Sequence, residues 1–194
     1  MLPADAAAPF PAAYRALFQR AKARAGQSVL ISGASGAVGV AAVQLAKAAG
    51  LSPIIGTAGS VEGRALVLAQ GADHALDHHS PTFLADAAAL AVVAAAAATG
   101  ADGEGSGGLD VIIESSAHFN LGADLGALAN GGVVAIVGSR GSVSVDPRDL
   151  MSTESSAVGV MLASATALEL SEIHAAIGAG LADGSLRPFV GVRL

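Results

Sequence analysis

The sequence lacks several residue types, and each absence narrows what the protein can be. Its 194 residues include no cysteine and no tryptophan, and aromatic residues make up only 3%. Without cysteine the chain forms no disulfide and no thiolate metal site, which is compatible with a reducing compartment. Because hydrophobic residues still make up 53% of the chain, we expect a sizeable core built from Ala, Val, Leu and Ile.

Basic residues are also few. Ten Lys and Arg stand against sixteen Asp and Glu, giving a net charge of −6, which argues against a nucleic-acid partner. The strongest membrane candidate, residues 85–98, is mostly alanine, contains Asp86 and is shorter than the roughly 20 residues that a spanning helix needs. The start of the chain lacks the basic and apolar regions of a secretory signal. We therefore expect a cytoplasmic protein with neither nucleic-acid nor membrane partners.

What the sequence does contain is an alternation of short apolar runs with helical patterns. Continuous apolar strands are typical of a sheet covered on both faces, so we predict an α/β fold with a doubly wound, mainly parallel sheet of about six strands and helices on both faces. Strands are expected at 28–32, 52–59, 74–78, 109–115, 131–138, 155–162 and 187–194. Helices are expected at 12–25, from the glycine loop to about Ala49, at 61–70, from about Pro81, at 121–129 and at 167–184.

Three glycines follow the first predicted strand and precede a helix. Gly33, Gly36 and Gly39 allow a tight turn, a close approach of backbone to phosphate, and close packing of helix on strand. The free N–H groups and the dipole of the helix N-terminus favour an anion such as pyrophosphate. The spacing GxxGxxG is weak evidence alone, and a purely structural turn is the alternative. The strand-loop-helix context favours a dinucleotide site.

The end of the second strand indicates which nucleotide is bound. Sites for NAD usually place an acid there to bind the ribose hydroxyls, but residues 56–59 contain none. Ser60 and Arg64 are near enough to bind a 2′-phosphate, whereas the nearest acid, Glu62, lies within the following helix. This pattern predicts NADP(H) as the cofactor; alternatively, Arg64 is only a solvated helix residue.

Two later strand ends carry small polar residues that would let a ligand lie against the backbone. These are "ESSAHFN" at 114–120 and "VGSRG" at 137–141, where Arg140 is interpreted as a cofactor contact rather than a surface arginine. No catalytic residue is identified. No metal site is expected either, because the histidines have no cysteine partners and only Asp77 with His78-His79 could catch a metal.

Several stretches together carry a family resemblance. "AAYRALFQRAKARAGQSVLISGASGAVGVAAVQLAKAAG", "IIGTAGSVEGRALVLAQGADHALDH", "GLDVIIESSAHFNLGADLGALANGGVVAIVGSRG" and "DPRDLMSTESSAVGVML" closely resemble the zeta-crystallin type of NADPH:quinone oxidoreductase, a zinc-independent group of the medium-chain dehydrogenase/reductase superfamily. The resemblance covers nearly all of residues 12–190 except 85–107. It implies a Rossmann domain at 27–194 with an Ala- and Gly-rich insertion at about 85–107, led by a segment and helix at 1–26. It also implies hydride or electron transfer from NADPH to a quinone or enone.

The resemblance also implies which residues contact the cofactor. The pyrophosphate loop would be formed by Ser35, Gly36, Ala37, Val38 and Gly39. The adenosine side would include Gly59 and His78, beside the Ser60 and Arg64 already inferred from the sequence. The remaining contacts would be Asn120, Val137, Gly138, Ser139, Arg140, Val160, Met161 and Leu162.

Three departures from the family pattern bear on function. Ala37 stands where the family usually has glycine, and its N–H stays available if its φ is negative. Ala13 replaces a threonine. The family also carries an N-terminal catalytic domain before the "AYRAL" helix, for which this sequence has no counterpart. We expect an enzyme represented mainly by its cofactor-binding domain, with a homodimer formed through an edge strand; the alternative is an NADPH-binding module or sensor without useful turnover.

Overall fold

The computed structural model describes residues 9–99 and 107–189 and contains one six-stranded sheet. The strands are β1 (Val29–Ile31), β2 (Ile54–Thr57), β3 (His74–Leu76), β4 (Leu109–Glu114), β5 (Leu128–Ile136) and β6 (Ser156–Gly159). The α-helices are α1 (Pro9–Tyr14), α2 (Ala37–Ala48), α3 (Val61–Ala69), α4 (Phe83–Thr99), α5 (Ala117–Gly126), α6 (Pro147–Thr153) and α7 (Ala167–Asp183). A π-helical segment, Arg15–Arg20, continues α1, and a 3₁₀ turn spans Leu162–Ser164.

The strand order is β3-β2-β1-β4-β5-β6, and every neighbouring pair is parallel. After β3 the chain crosses to the far side of β1, so the order reverses between β1 and β4. In such sheets a ligand lies beyond the carboxyl ends of the strands at this switch point. The predicted doubly wound α/β fold is therefore confirmed, with a sheet that is parallel throughout.

Alternating side chains of the central strands enter two cores. In β1, Val29 and Ile31 join one buried cluster while Leu30 joins the other. The first cluster packs the sheet against α1, the π-helical segment, α2 and α7, through Phe10, Leu17, Val43, Ile173 and Ile177. The second packs it against α4 and α5, through Ala87, Ala91 and Leu125. Helices thus cover both faces, which explains the continuous apolar strands.

The first helix is shorter than predicted at its C-terminal end. The pattern predicted a helix over 12–25, but helical structure ends at Arg20. The N–H of Ala21 donates to the Ala16 carbonyl at 2.9 Å, a wide turn that does not propagate, and Lys22 takes a positive φ of 55°. A left-handed residue cannot continue a right-handed helix, so the chain leaves it and approaches β1.

The region after β4 also differs from prediction. The helix expected at 121–129 is α5 at 117–126, and β5 begins at Leu128, so the Gly131-Gly132 pair lies inside the strand and not before it. A register shift against β4 accommodates the pair. Helix α6 was not predicted, although the Asp146 side chain caps it at the Arg148 N–H and Pro147 opens it.

The remaining predictions concern the chain ends and the insertion. Arg187–Phe189 of the expected last strand are not in a strand, and residues 190–194 lie outside the described part of the chain. The helix expected from about Pro81 is confirmed as α4, residues 100–106 of the glycine-rich loop are not described, and the insertion at about 85–107 stays a prediction. The division of the chain into a leading segment at 1–26 and a Rossmann domain at 27–194 stays a prediction. Within the described ranges, no helix is long and apolar enough to cross a membrane.

Candidate nucleotide-binding site

The glycine loop joins β1 to α2 at the switch point of the sheet. Gly33 takes a positive φ of 67°, which favours glycine. A Cβ on Gly39 would lie 2.5 Å from the Gly33 oxygen and 2.5 Å from the Ala34 Cα, so only glycine lets α2 pack this closely on the loop. Gly36 caps α2 without a side-chain hydrogen bond. The N–H groups of the first turn of α2 are therefore free to bind an anion.

Ala37 has the negative φ that keeps its N–H available for a ligand. It is the first residue of α2, and Lys22 and Glu154 alone have positive φ among the described non-glycine residues. Its N–H therefore points out from the helix start, as a glycine's would. Ala37 also lines a pocket of about 210 Å³ together with Ser35, Val40 and Phe10.

Thr57, at the end of β2, fixes the glycine loop in place. Its buried hydroxyl accepts the Gly33 N–H at 3.1 Å and its carbonyl accepts the Ala34 N–H at 2.8 Å. Sequence reasoning did not assign Thr57 a role, because nothing in the local pattern shows that the tip of β2 lies against the loop. The loop is therefore held by β2 as well as by its own turn.

The tips of β2 and β3 form the edge assigned to adenosine. A Cβ on Gly59 would lie 2.5 Å from His79 Cε1 and 2.8 Å from His78 Nε2, so Gly59 leaves room for both rings. Ser60 caps α3 by accepting the Gly63 N–H at 3.0 Å. A Cβ on Gly63 would lie 3.4 Å from Ser35 Cβ. The adenosine edge is therefore continuous with the glycine loop.

Arg64 is neither free nor simply solvated. Its Nη1 lies 2.9 Å from Asp77 Oδ2 and 3.3 Å from the Ala58 carbonyl oxygen, and its side chain is one-quarter exposed. In the sequence Glu62 is the acid nearest to residues 56–59, but in the fold the end of β3 places Asp77 beside the tip of β2. Residues 56–59 contain no acid, as the sequence shows, but the neighbouring strand supplies a carboxylate that the sequence of β2 alone could not reveal.

The ends of β4 and β5 approach each other closely. A Cβ on Gly138 would lie 2.5 Å from the Ser115 carbonyl oxygen, and the Gly138 carbonyl accepts the Ala117 N–H at 3.0 Å. Asn120 donates its side-chain amide to Glu114 Oε2 at 3.1 Å, while the other oxygen of Glu114 accepts the Ser116 N–H. Part of the Asn120 amide is therefore engaged inside the protein.

Glu114 forms a buried carboxyl pair with Asp124. Both residues are 1% exposed. Burial, followed by the nearby charge of Glu114 and a hydrogen bond with it, raises the pKa of Asp124 to about 8. Asp124 is therefore protonated at neutral pH. Sequence reasoning assigned this pair no role, because nothing in the local pattern shows that the two carboxyl groups meet.

A cleft of about 500 Å³ opens beside the ends of β5 and β6. It contains five residues predicted to bind cofactor: Val137, Gly138, Ser139, Val160 and Met161. Leu162, also predicted, starts the following 3₁₀ turn. The backbone N–H of Arg140 donates to His118 Nδ1 at 3.2 Å on an exposed loop, and Arg140 does not line the cleft.

Two arginines of the helix predicted at 12–25 also line this cleft. Arg15 is 6% exposed, pairs with Glu169 at 3.0 Å and bonds to Gln19 at 2.9 Å. Its Nε has no hydrogen-bond partner among the described residues. Arg20 donates to the Gly159 carbonyl at 3.1 Å. These contacts join the first helix to α7 and β6, which no local sequence signal shows.

In the described ranges, no three His, Asp or Glu side chains form a group that could hold a metal ion. The paired rings of His78 and His79 lie 4.6 Å apart between centroids, and Asp77 lies 3.0 Å from His79 Nδ1. This set is a hydrogen-bonded cluster around one carboxylate.

Comparison with known proteins matches this architecture to a family and to named relatives. The sequence pattern of a family described as zinc-binding dehydrogenase matches residues 37–177. Human quinone oxidoreductase is 44% identical over 183 residues, which cover 94% of this chain and 51% of the relative. The structure of the quinone oxidoreductase from Thermus thermophilus, also solved in complex with NADPH, superposes with a TM-score of 0.72 and 30% identity over 97% of this chain and 53% of that one.

A further solved structure has nearly the same extent as this chain. A putative enoyl reductase domain of a polyketide synthase superposes with a TM-score of 0.70 and 26% identity, over 95% of this chain and 97% of that one. By contrast, the chain spans about half the length of the curated relatives that it matches. The similarity to those relatives therefore concerns the part of them that carries this fold.

Proposed function

Because the chain belongs to the zinc-binding dehydrogenase family, we propose that it is the cofactor-binding part of an NADPH-dependent oxidoreductase of the quinone reductase type. Relatives named quinone oxidoreductase at 43–45% identity support this proposal, as does the structural neighbour solved with NADPH. We further propose that this part of the protein holds no zinc, since the sequence contains no cysteine and the described carboxylates and imidazoles form no ligand set.

The observation that carries the proposal is the close approach of α2 to the glycine loop. The missing Cβ of Gly39 lets α2 pack directly on the loop, and the free N–H groups after Gly36 fit a pyrophosphate group. In this proposal the pyrophosphate is held by Ser35, Gly36, Ala37, Val38 and Gly39. These residues contribute mainly backbone donors, and Thr57 keeps the donors in place.

The adenosine half would lie along the tips of β2 and β3. We assign it to Gly59, Ser60, Arg64 and His78, which converge there. The Arg64 guanidinium supports the choice of NADP(H), because an arginine at this position accommodates a 2′-phosphate. Asn120 would border the cofactor from the β4 side, oriented by Glu114.

The nicotinamide end would lie in the cleft beside β5 and β6. There we assign Val137, Gly138, Ser139, Arg140, Val160, Met161 and Leu162. When bound, the nicotinamide supplies the hydride or electrons that reduce a quinone or enone. The residues of the chain orient it, and hydride transfer from it requires no nucleophilic side chain.

We also propose that two copies associate through β6. This strand is at the edge of the sheet and three of its four residues are exposed, which leaves its outer backbone groups available for pairing apart from the Gly159 carbonyl that Arg20 contacts. A cytoplasmic location is part of the same proposal, supported by the absence of cysteine.

A second function is favoured by how open the cleft is. Met161 is 63% exposed, so the described residues leave the nicotinamide end accessible to water. This supports an NADPH-binding module or sensor that has no useful turnover.

Calorimetric titration of the chain with NADPH, followed by NADPH oxidation assays, tests both functions. The acceptors would be 9,10-phenanthrenequinone and methyl vinyl ketone, and the control is the rate without protein. Binding with oxidation well above the control supports the reductase. Binding without oxidation supports the module, and absence of NADPH binding contradicts both.

A further inference from the structure

The Arg64 guanidinium is already engaged at the position where the proposed function needs it for phosphate. Its Nη1 contacts Asp77 Oδ2 at 2.9 Å and the Ala58 carbonyl at 3.3 Å. Both contacts use the same nitrogen. A guanidinium has five N–H donors, so Nη2 and Nε remain without partners among the described residues. Arg64 can therefore receive a second anion, but only beside a carboxylate that already lies against it.

The carboxylate of Asp77 is held in place independently of Arg64. Its Oδ1 accepts the backbone N–H of His79 at 3.0 Å and lies 3.0 Å from His79 Nδ1. The backbone N–H of His79, followed by the charge of Arg64 and the side chain of His79, keeps the pKa of Asp77 below its ordinary value. Asp77 is therefore a fixed negative charge at neutral pH, and it would stay there if Arg64 turned toward a ligand.

We propose that Asp77 is a specificity-determining residue, whose carboxylate competes with the 2′-phosphate of NADPH for Arg64 and so weakens the preference of this chain for NADPH over NADH. The inference rests on the proposed function, since it assumes that the adenosine half lies at the tips of β2 and β3. NADH has no 2′-phosphate and leaves the ion pair intact. The 2′-phosphate of NADPH must share the Arg64 guanidinium with Asp77, and it would lie beside the negative charge of the Asp77 carboxylate.

The size of the effect follows from the exposure of the pair. The side chains of Arg64 and Asp77 are 25% and 38% exposed, so solvent screens their attraction. Replacing Asp77 by Asn should therefore tighten NADPH binding by about threefold to fivefold, the range expected for a partly exposed ion pair. Asn can still accept the His79 N–H, so the variant keeps the local turn.

The test is a double-variant cycle measured by titration calorimetry with NADPH and NADH. The proteins are the natural chain, Asp77→Asn, Arg64→Gln and the double variant. We expect Asp77→Asn to tighten NADPH binding but not NADH binding. In the Arg64→Gln background the same change should alter NADPH binding by less than about twofold. A carboxylate that only repelled phosphate through space would act equally with or without Arg64.

Glu62→Gln is the matched control. It also removes one negative charge from the start of α3, but no contact joins Glu62 to Arg64 among the described residues. Its effect on NADPH affinity should stay below about twofold. Unfolding temperatures of all variants check that they remain folded.

Three outcomes overturn the inference while the proposed function stands. These are no gain in NADPH affinity for Asp77→Asn, a gain of equal size in the Arg64→Gln background, or an equal gain for Glu62→Gln. If the natural chain binds neither NADPH nor NADH, the proposed function fails and the inference fails with it.

Discussion

The first half of the sheet, β1 to β3, and the second half, β4 to β6, differ in how much of their carboxyl ends is buried. In the first half, all four residues of β2 are buried and Thr57 fixes the glycine loop through two hydrogen bonds. In the second half, three of the four residues of β6 are exposed and an open cleft follows β5. The pyrophosphate end is therefore shaped by packing within the chain, whereas the nicotinamide end is far less enclosed. Changes at the first should affect folding and binding together, and changes at the second should leave folding intact.

The largest effect is expected from Gly39→Ala. Its Cβ would lie 2.5 Å from backbone atoms of the glycine loop, so the loop or α2 must shift. We expect the free energy of unfolding to fall by about 1–3 kcal/mol and the NADPH dissociation constant to rise by about tenfold or more. Denaturant unfolding and calorimetric titration measure the two quantities.

Gly178→Ala provides the matched control for that change. Gly178 lies inside α7, and a Cβ there meets nothing within 4 Å. This variant should gain about 0.5–1 kcal/mol of stability, because alanine is the better helix former, with NADPH binding unchanged. Equal effects of the two substitutions would contradict the close approach at the glycine loop.

A second prediction concerns the buried pair of Glu114, on β4, and Asp124, on α5. The pKa of Asp124 is raised to about 8, above the ordinary value that it regains on unfolding, so the folded state binds the extra proton at neutral pH. Stability should therefore fall as pH rises from about 4, near the ordinary pKa of an Asp, to about 8, by up to about 1.4 kcal/mol per pH unit for this group, and level off above 8.

Asp124→Asn should remove that pH dependence. Asparagine is neutral in the folded and unfolded chains and can still donate a hydrogen bond to Glu114, so the variant should lack the decline between about pH 4 and pH 8 and exceed the natural chain in stability by the widest margin above pH 8. Denaturant unfolding across this range gives the comparison. Parallel curves for the two proteins would show that Asp124 does not titrate in the folded state as described.

The smallest effect is expected from Met161→Ala in the open cleft. Met161 is 63% exposed, so its truncation removes little buried surface. The free energy of unfolding should change by less than about 0.5 kcal/mol, as measured by denaturant unfolding. A loss comparable to that of Gly39→Ala would show that the cleft is as tightly packed as the glycine loop, and the contrast between the halves would fail.

Local patterns in the sequence predicted much of the fold. Apolar runs predicted the strands, and the glycine triplet predicted the loop between β1 and α2. Both patterns consist of residues that are neighbours in the sequence. The features that were missed depend on distant ones. The Asp77–Arg64 pair requires knowing that β3 lies beside β2, and the burial of Arg15 requires the position of Glu169 on α7.

Boundaries were the other source of error, and they affected the site. The helix after β4 begins at Ala117, four residues earlier than predicted, so Asn120 lies in α5 and not in the loop before it. Helix α6 carries a readable Asp146-Pro147 start but is too short for an apolar period to reveal it. The structure brings most of the cofactor contacts named from the sequence to one edge of the sheet, and their contact with a cofactor stays a prediction.

The central claim is that backbone N–H groups at the start of α2 bind the pyrophosphate of NADPH, and Ala37→Pro tests it most directly. Proline is tolerated at the first position of a helix, and Gly36 before it is extended, with φ −77° and ψ 168°, as a residue preceding proline requires. The substitution therefore removes one N–H donor and leaves the helix intact. Ala167→Pro makes the same change at the exposed start of α7, where Thr166 is also extended.

The measurement is the NADPH dissociation constant of the natural chain and the two proline variants, with unfolding temperature as the check on folding. Loss of a hydrogen bond to a charged group predicts an increase of about tenfold to a hundredfold for Ala37→Pro. Ala167→Pro should bind NADPH like the natural chain. A folded Ala37→Pro variant that binds NADPH as tightly as the natural chain would contradict the account.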